Sequence, residues 1–273
     1  MSNHLHPTAI IDPAAQLGND VTIGPYAVIE GPATIGDRTT IQAHAVISGR
    51  VTMGVENVIG YGAIIGAEPQ DLAFRPEVES EVQIGDGNRI REYCTIHRGT
   101  SSGSVTVVGS QCFLMAGAHL AHNVRLGDRV ILANNTLLGG YVNVDDRVFV
   151  GGGCVFHQHI RIGRLAICQG GSMFSKNIPP FVIAAERNGI AGLNAVGLRR
   201  ADMTPAARVE IKAAFDLLYR SGKNVSQAIA AAQDRIWGEE GQAFWAFVAD
   251  AGRRGLCDLI ATRHGGVEEE EEQ

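Results

Sequence analysis

Residues 114–126, Leu114-Met-Ala-Gly-Ala-His-Leu-Ala-His-Asn-Val-Arg-Leu126, place a leucine at every sixth position. The spacing continues on both sides, with a large apolar residue or cysteine at every sixth position over residues 11–65, 84–96 and 108–174. A period of six fits neither an amphipathic helix, which repeats every 3.6 residues, nor a strand, which alternates every two. It is typical of a parallel β-helix, in which each unit of six residues contributes a short strand and a turn.

The repeat also predicts how the core of this β-helix is built. Hydrophobic residues make up 45% of the chain and aromatic residues only 6%, so we expect the aliphatic residue of each unit to point inward. Glycine often follows that residue, and we expect it to supply turn conformations that other residues resist. Three units make one triangular coil, so residues 18 apart in the sequence should lie above one another.

Several segments depart from the repeat. Residues 67–81 contain two prolines and several charges at the point where the repeat slips, which predicts a loop ejected from the β-helix. Residues 97–104 predict a second, smaller loop, and residues 182–200 an irregular link. The predicted division is a β-helix over 1–185, a C-terminal helical domain over 186–262 with helices near 206–220, 225–237 and 242–253, and a disordered acidic tail over 263–273.

Composition excludes several classes of protein. The net charge of −6 comes mostly from the glutamates of residues 268–272, so the rest of the chain has no strongly basic surface for nucleic acid. No run of apolar residues is long enough to span a membrane, and the first residues do not follow the pattern of a signal peptide. Five cysteines without a CxxC pair predict buried free thiols in a reducing compartment. We therefore expect a cytoplasmic protein.

Stacking in steps of 18 residues predicts a chemical site. His122, Gly140 and Gln158 fall in one column, each two positions after the apolar residue of its unit. An imidazole in that column can take a proton from a nucleophile. The accessible backbone N–H of a neighbouring glycine can stabilise a developing oxyanion. The column therefore predicts acyl transfer, with His122 as the general base.

Three other interpretations remain open at this point. His122 is compatible with a surface histidine that has no chemical role. His119 and His122 could provide two ligands for zinc, as in a hydratase, although a zinc site needs at least a third ligand. The β-helix could also act as a non-catalytic scaffold that presents a surface.

The chain resembles the UDP-N-acetylglucosamine 3-O-acyltransferases over nearly its whole length. The segments that carry the resemblance are residues 84–100, Ala118-His-Leu-Ala-His122, Ile131-Leu-Ala-Asn-Asn135, Val155-Phe-His-Gln158, Gln70-Asp-Leu72, residues 178–183 and Gly197-Leu-Arg-Arg200. The resemblance implies a mainly β fold, a left-handed parallel β-helix with a C-terminal α-helical domain. It also implies a homotrimer with active sites between subunits, without a cofactor or a metal. A 3-hydroxyacyl chain would pass from acyl carrier protein to the 3-position of a UDP-sugar, which is the first step of lipid A biosynthesis.

The resemblance also implies roles for individual residues. His122 matches the general base and Gly140 the oxyanion donor. The expected substrate-binding residues are Gln70, Asp71, His119, Asn123, Tyr141, His157, Gln158, Gly170, Asn194 and Arg200. Among them, Asp71 and His119 match sugar contacts, His157 lines the acyl groove, and Gln158, Asn194 and Arg200 match nucleotide or donor contacts. Gly170 matches the position that limits chain length, and a glycine there leaves room for a longer chain.

Four positions depart from the family pattern, namely Ala73, Asn123, Tyr141 and Val196. Asn123 replaces the acid that commonly follows the catalytic histidine, so we expect His122 to be a weaker base. A related family, the lipid A N-acyltransferases, often has His-Asn at this position and acylates an amine. The alternative hypothesis is therefore that the acceptor is the 3-amino analogue of UDP-N-acetylglucosamine and that the product is an amide.

Overall fold

The six-residue repeat forms short parallel strands that build a three-sided prism. The structure, a computed structural model, describes residues 2–260. The first face contains His4–Leu5, Thr22–Ile23, Thr40–Ile41, Val58–Ile59, Arg89–Ile90, Phe113–Leu114, Ile131–Leu132, Phe149–Val150, Ile167–Cys168, Val182–Ala185, Gly189–Leu193 and Asp258–Leu259. The second face contains Ile10–Ile11, Val28–Ile29, Val46–Ile47, Ile64–Ala67, Thr95–His97, His119–Leu120, Leu137–Leu138, Val155–Phe156 and Met173–Phe174. The third face contains Gln16–Leu17, Thr34–Ile35, Arg50–Met53, Glu81–Ile84, Val105–Val108, Arg125–Leu126, Asn143–Val144 and Arg161–Ile162.

The aliphatic residue of each unit fills the centre of the prism. Ile23, Ile41 and Ile59 pair in register in successive coils and are at most 1% exposed. Burying each such side chain contributes about 1.5–3 kcal/mol, which stabilises strands that are too short to persist alone. All five cysteines are buried and unpaired. The predicted mainly β fold, a left-handed parallel β-helix, is confirmed.

The glycines that follow the aliphatic residue have a different role from the one expected. A Cβ on Gly36 would lie 2.4 Å from the carbonyl oxygen of Gly54, and one on Gly60 would lie 2.6 Å from the carbonyl carbon of Arg91. Neither Gly36 nor Gly60 has a positive φ. Gly36 and Gly60 are required because successive coils approach too closely at the corners for a side chain, so the expected conformational reason is wrong at these positions. It holds at Gly66, which follows Ile65 and has a φ of 87°.

The left-handed turn conformation occurs two residues after such a glycine, three after the aliphatic residue. Most residues there are not glycine, as at Arg129 with φ 56° and Asn135 with φ 57°. This conformation costs an ordinary residue about 1–2 kcal/mol, and asparagine tolerates it better than most. The hydrogen bond from each such residue to the preceding coil, as from Arg129 N–H to the Ser110 carbonyl, helps to offset that cost.

The C-terminal region closes one end of the prism. Residues 182–200, predicted to be irregular, instead form an antiparallel hairpin of Val182–Ala185 with Gly189–Leu193, followed by helix α1. The helices are α1 at Ala195–Arg200, α2 at Pro205–Tyr219, α3 at Val225–Gln233 and α4 at Glu239–Ala249, with a short 3-10 turn at Gly252–Arg254. Trp237 and Trp245 pack in the core of this region. None of the described helices is long and apolar enough to cross a bilayer.

The hairpin lies across the domain boundary predicted at residue 185, and that division stays a prediction. Residues 263–273, predicted to form an acidic tail, lie outside the described residues. Helix α2, predicted near 206–220, begins at Pro205, where the Thr204 side chain accepts a hydrogen bond from Ala207 N–H and the proline occupies the first turn.

Gly36→Ala should lower the free energy of unfolding by about 2 kcal/mol, because its Cβ would press on the backbone of the next coil. Gly87→Asn is the matched control. Gly87 has a φ of 65°, and its added Cβ would meet only a side-chain atom of Gln111 at 3.8 Å. The free energy of unfolding of this control, measured by urea titration, should stay within about 1 kcal/mol of the wild-type value. Equal losses in both variants would contradict close approach as the reason for the corner glycines.

Candidate active site

Two loops and the predicted column occur at the same edge of the prism. Residues 68–80 connect the second face to the third, and residues 98–104 do so one coil further along. His122, Gly140 and Gln158 occupy this edge in the next three coils. We call this edge, between the second and third faces, the loop corner. Both inserted loops leave the prism at this corner. Loops on a rigid scaffold are the segments that most often carry functional residues.

The ring of His122 lies against the backbone of Gly140. A Cβ on Gly140 would be 2.4 Å from Cε1 and 2.6 Å from Nε2 of that ring, so any side chain at this position would displace the imidazole. The Gly140 N–H donates to no group within residues 2–260. Its carbonyl accepts from the His159 N–H at 2.9 Å, and the His122 carbonyl accepts from the Tyr141 N–H at 3.1 Å. The imidazole and an unused backbone donor are therefore held side by side.

Asn123 and Tyr141 flank the imidazole of His122. The His122 Nδ1 and the Asn123 Oδ1 are 3.0 Å apart. The same Oδ1 accepts from the backbone N–H and the hydroxyl of Thr100, at 3.2 and 3.1 Å. The Thr100 hydroxyl is also 3.1 Å from the Tyr141 hydroxyl. The Tyr141 ring meets His122 edge-on, with centroids 5.3 Å apart, and stacks on His159 at 4.7 Å.

His119 projects from the second face in the same coil as His122. Its Nδ1 is 2.7 Å from the Thr95 hydroxyl, and its ring meets that of His97 edge-on at 5.1 Å. Burial, with a smaller contribution from His97, lowers the pKa of His119 to about 4. Burial also lowers the pKa of His97, although that ring donates a hydrogen bond to the Glu68 carbonyl. His119 is therefore neutral at physiological pH and can bind an uncharged polar ligand.

Arg98 holds the ejected loop over the loop corner. Its guanidinium donates to the carbonyls of Val78 at 2.8 Å and Pro76 at 3.2 Å, and it covers the Phe74 ring at 5.0 Å. Asp71 turns the tip of the same loop by accepting from the Ala73 N–H at 2.9 Å. Because these contacts cross the loop at several points, they order the segment that carries Gln70 and Asp71.

The remaining predicted residues are divided between the loop corner and two other regions. Gln158, in the column, and the neighbouring His157 are exposed at the loop corner. Gly170 is exposed at the opposite corner of the second face, between the first and second faces. Asn194 is buried, where its side chain donates to the Leu165 carbonyl and accepts from Gly197 N–H, and Arg200 is exposed at the end of α1. One chain therefore does not bring these last three residues to His122.

A zinc site is not favoured by the surroundings of the two histidines. Within residues 2–260, no three His, Cys, Asp or Glu side chains converge as a metal site requires. The Nδ1 of His119 faces Thr95, and that of His122 faces Asn123. The pair lacks the third ligand that the zinc interpretation needs.

Sequence reasoning did not identify four residues that build this site: Thr95, His97, Arg98 and Thr100. All four lie on the second-face strand Thr95–His97 or in the loop that follows it. A polar residue directly after the apolar residue of its unit was an available signal, because His97 follows the buried Ile96 and is itself buried. The partners of Arg98 and Thr100 depend on loop conformation, which the repeat does not encode.

Comparisons with known proteins show which family the chain belongs to. The family described as "Udp N-acetylglucosamine O-acyltransferase; Domain 2" matches residues 177–257, and the bacterial transferase hexapeptide family matches residues 14–49 and 106–140. The chain is 37% identical to a UDP-N-acetylglucosamine acyltransferase structure from Bacteroides fragilis, with a TM-score of 0.87. That alignment covers 92% of this chain and 98% of the other.

Sequence relatives carry a more specific name, acyl-[acyl-carrier-protein]--UDP-N-acetylglucosamine O-acyltransferase. The relative from Alkalilimnicola ehrlichii is 44% identical over 257 residues, which are 92% of this chain and 98% of the relative. The relative from Gloeothece citriformis is 43% identical over 169 residues, and this match spans only 61% of that relative's length. The fold and the repeat place the chain in the class of hexapeptide-repeat transferases. Within that class, the chain belongs to the UDP-N-acetylglucosamine O-acyltransferase family.

Arg98→Ala should loosen the ejected loop while the prism stays intact, because it removes the contacts across residues 74–78. Hydrogen exchange of residues 68–80 should accelerate by about tenfold or more, since local opening follows the loss of such contacts. The control is Arg91→Ala, which removes only an exposed ion pair with Glu92. Unchanged exchange in the Arg98 variant would show that the loop is ordered by other means.

His119→Gln should reduce the sensitivity of the fold to acid. The unfolded chain protonates this histidine near pH 6.5, whereas the folded chain does so near pH 4. Wild-type stability should therefore fall as the pH drops from about 6.5 to 4, because only the unfolded state takes up the proton in that window. Melting temperatures measured across this range should fall less in the variant than in the wild type or in a variant of the exposed His44. Parallel pH profiles would contradict a partly buried, neutral His119.

Proposed function

We propose that the protein transfers a 3-hydroxyacyl chain from acyl carrier protein to the 3-hydroxyl of UDP-N-acetylglucosamine, the first step of lipid A biosynthesis. Family membership supports the substrates, since the relatives' names specify the carrier protein, the UDP-sugar and transfer to oxygen. The observation that supports the chemistry most directly is the imidazole of His122 packed against Gly140, whose N–H has no partner within residues 2–260.

In the proposed mechanism, His122 acts as general base and Gly140 as oxyanion donor. The Nε2 of His122 takes the proton of the sugar 3-hydroxyl while that oxygen attacks the carbonyl carbon of the thioester. The Gly140 N–H stabilises the negative charge that forms on the carbonyl oxygen. The new C–O bond remains, the C–S bond breaks, and the imidazolium returns its proton to the departing thiolate. No side chain becomes acylated in this sequence.

The substrate contacts are also proposals. His119 would hydrogen-bond the sugar as a neutral group, and Gln70 and Asp71 would contact it from the loop that leaves the prism at the same corner. His157 would line the acyl groove, with Gln158 beside the donor. Asn194 and Arg200 would have to act from the helical region of another subunit. The buried hydrogen bonds of Asn194 favour an indirect contribution, in which it holds the start of α1.

The 3-amino acceptor is not favoured. The printed names of the relatives specify O-acyltransfer. The main reason for the amine hypothesis was that Asn123 lacks the charge of an acid. The Asn123 oxygen nevertheless lies 3.0 Å from the His122 Nδ1, so the orientation of the ring does not require that charge.

We propose a homotrimer with sites shared between subunits. The outward row of the second face is apolar except for Thr95 and His119, and it includes exposed Ile10, Leu137 and Met173. An apolar strip of that length is typical of a surface that another subunit covers. Gly170, the residue proposed to admit a longer acyl chain, lies across this face from His122. An acyl groove that includes both residues would therefore draw them from two subunits.

A cytoplasmic location is the proposal that fits these partners and side chains. Five buried free cysteines suit a reducing compartment, and acyl carrier protein supplies the donor.

His122→Gln should lower kcat for transfer to UDP-N-acetylglucosamine by about 10²–10⁴-fold, because it removes the proposed base. The matched control is His44→Asn, at an exposed histidine in a left-handed turn remote from the loop corner. Light scattering should give the same trimeric mass for the wild type and both variants. Wild-type activity in His122→Gln would refute the proposed mechanism, and faster turnover of the 3-amino sugar by the wild type would reinstate the amine hypothesis.

A further inference from the structure

We propose that Thr100 is a positioning residue that fixes the tautomer of His122 through Asn123. This inference rests on the proposed role of His122 as a base. An imidazole can accept the sugar proton at Nε2 only if Nδ1 carries the ring hydrogen. The group that bonds Nδ1 decides which nitrogen carries it. In this protein that group is the side chain of Asn123, and the loop of residues 98–104 decides which end of its amide faces the ring.

The backbone N–H of Thr100 determines the orientation of the amide. A backbone N–H only donates, so the Asn123 atom that lies 3.2 Å from it must be the oxygen and not the NH₂ group. The Thr100 hydroxyl donates to the same oxygen at 3.1 Å. Because the His122 Nδ1 is 3.0 Å from this oxygen, it must be a donor, and Nε2 keeps the lone pair.

The direction of the remaining hydrogen bond follows from the same count. A threonine hydroxyl has one hydrogen, and Thr100 uses it on Asn123. The bond of 3.1 Å between Thr100 and Tyr141 must then be donated by the Tyr141 hydroxyl. Tyr141 therefore donates to Thr100, and Thr100 donates to the Asn123 oxygen. The same oxygen accepts the hydrogen bond from the His122 Nδ1.

The backbone keeps Asn123 in place to receive these bonds. Asn123 is buried, with a φ of 61° that asparagine tolerates. Its own N–H donates to the Thr106 hydroxyl at 2.8 Å. The side chain can rotate, but a flipped amide would bring its NH₂ group against two donors of Thr100. The loop thus keeps the oxygen of the Asn123 amide directed at His122. A carboxylate would present an acceptor oxygen in either orientation and would not need the loop.

The test compares Thr100→Val with Thr100→Ser. The valine removes one of the two donors that orient the amide, so kcat should fall by about fivefold, with KM for either substrate changed less than about twofold. The serine keeps the hydroxyl and should restore the wild-type kcat. In nitrogen NMR spectra at pH 8, with the His122 signal assigned from its absence in His122→Gln, Nδ1 should be protonated in the wild type. The other tautomer should appear in part in Thr100→Val.

Asn123→Asp separates positioning from simple structural damage. Both oxygens of a carboxylate accept hydrogen bonds, so aspartate has no amide end that must be oriented. In the Asn123→Asp background, Thr100→Val should therefore lower kcat by less than about twofold. The added charge should raise the pKa of His122 and move the acid limb of the pH–rate profile to higher pH, because the base must be neutral to act.

The proposal would be overturned if Thr100→Val lowered kcat equally in the wild type and in the Asn123→Asp variant. It would also be overturned if the wild-type His122 carried its hydrogen on Nε2. The NMR measurement needs no substrate. If the wild type has no transfer activity but Nδ1 is protonated, the proposed function fails while the positioning of the ring stands.

Discussion

The close stacking of successive coils is the constraint on which the rest of the structure depends. Each coil lies one strand spacing, about 4.8 Å, from the next. At that spacing the backbone of one corner touches the next, so residues such as Gly36 have no room for a side chain. The same stacking places His122 against Gly140. A packing rule that applies along the whole prism therefore produces, at one corner, an imidazole beside a backbone N–H that has no partner within residues 2–260.

The loop corner turns this local packing into a candidate catalytic site. The two loops leave the prism where their insertion does not disturb the inward stack of aliphatic residues. Arg98 donates across the loop of residues 68–80, and Thr100 bonds the loop of residues 98–104 to Asn123 in the next coil. Burial keeps His119 neutral beside them. In the proposed mechanism the rigid coils supply the base and the oxyanion donor, and the loop of residues 98–104 supplies the contacts that orient the base.

The sequence predicted those features that the six-residue repeat encodes. The spacing of the aliphatic residues predicted the β-helix, and steps of 18 residues predicted the column of His122, Gly140 and Gln158. The hairpin over residues 182–193 was missed because it is antiparallel and does not follow the repeat. The bonds of Thr100 to Asn123 were missed because they depend on the conformation of a loop. The proposed packing of subunits, and the position that it would give Gly170 relative to His122, cannot be derived from the repeat of one chain.

The central claim is that acyl transfer takes place at the loop corner, between His122 and Gly140. An experimental structure of the wild-type protein with the acylated UDP-sugar product bound tests it most directly. The account predicts the acylated 3-oxygen within about 3 Å of the His122 Nε2, and the acyl carbonyl oxygen within a similar distance of the Gly140 N–H. A product bound with its ester remote from both groups would contradict the account.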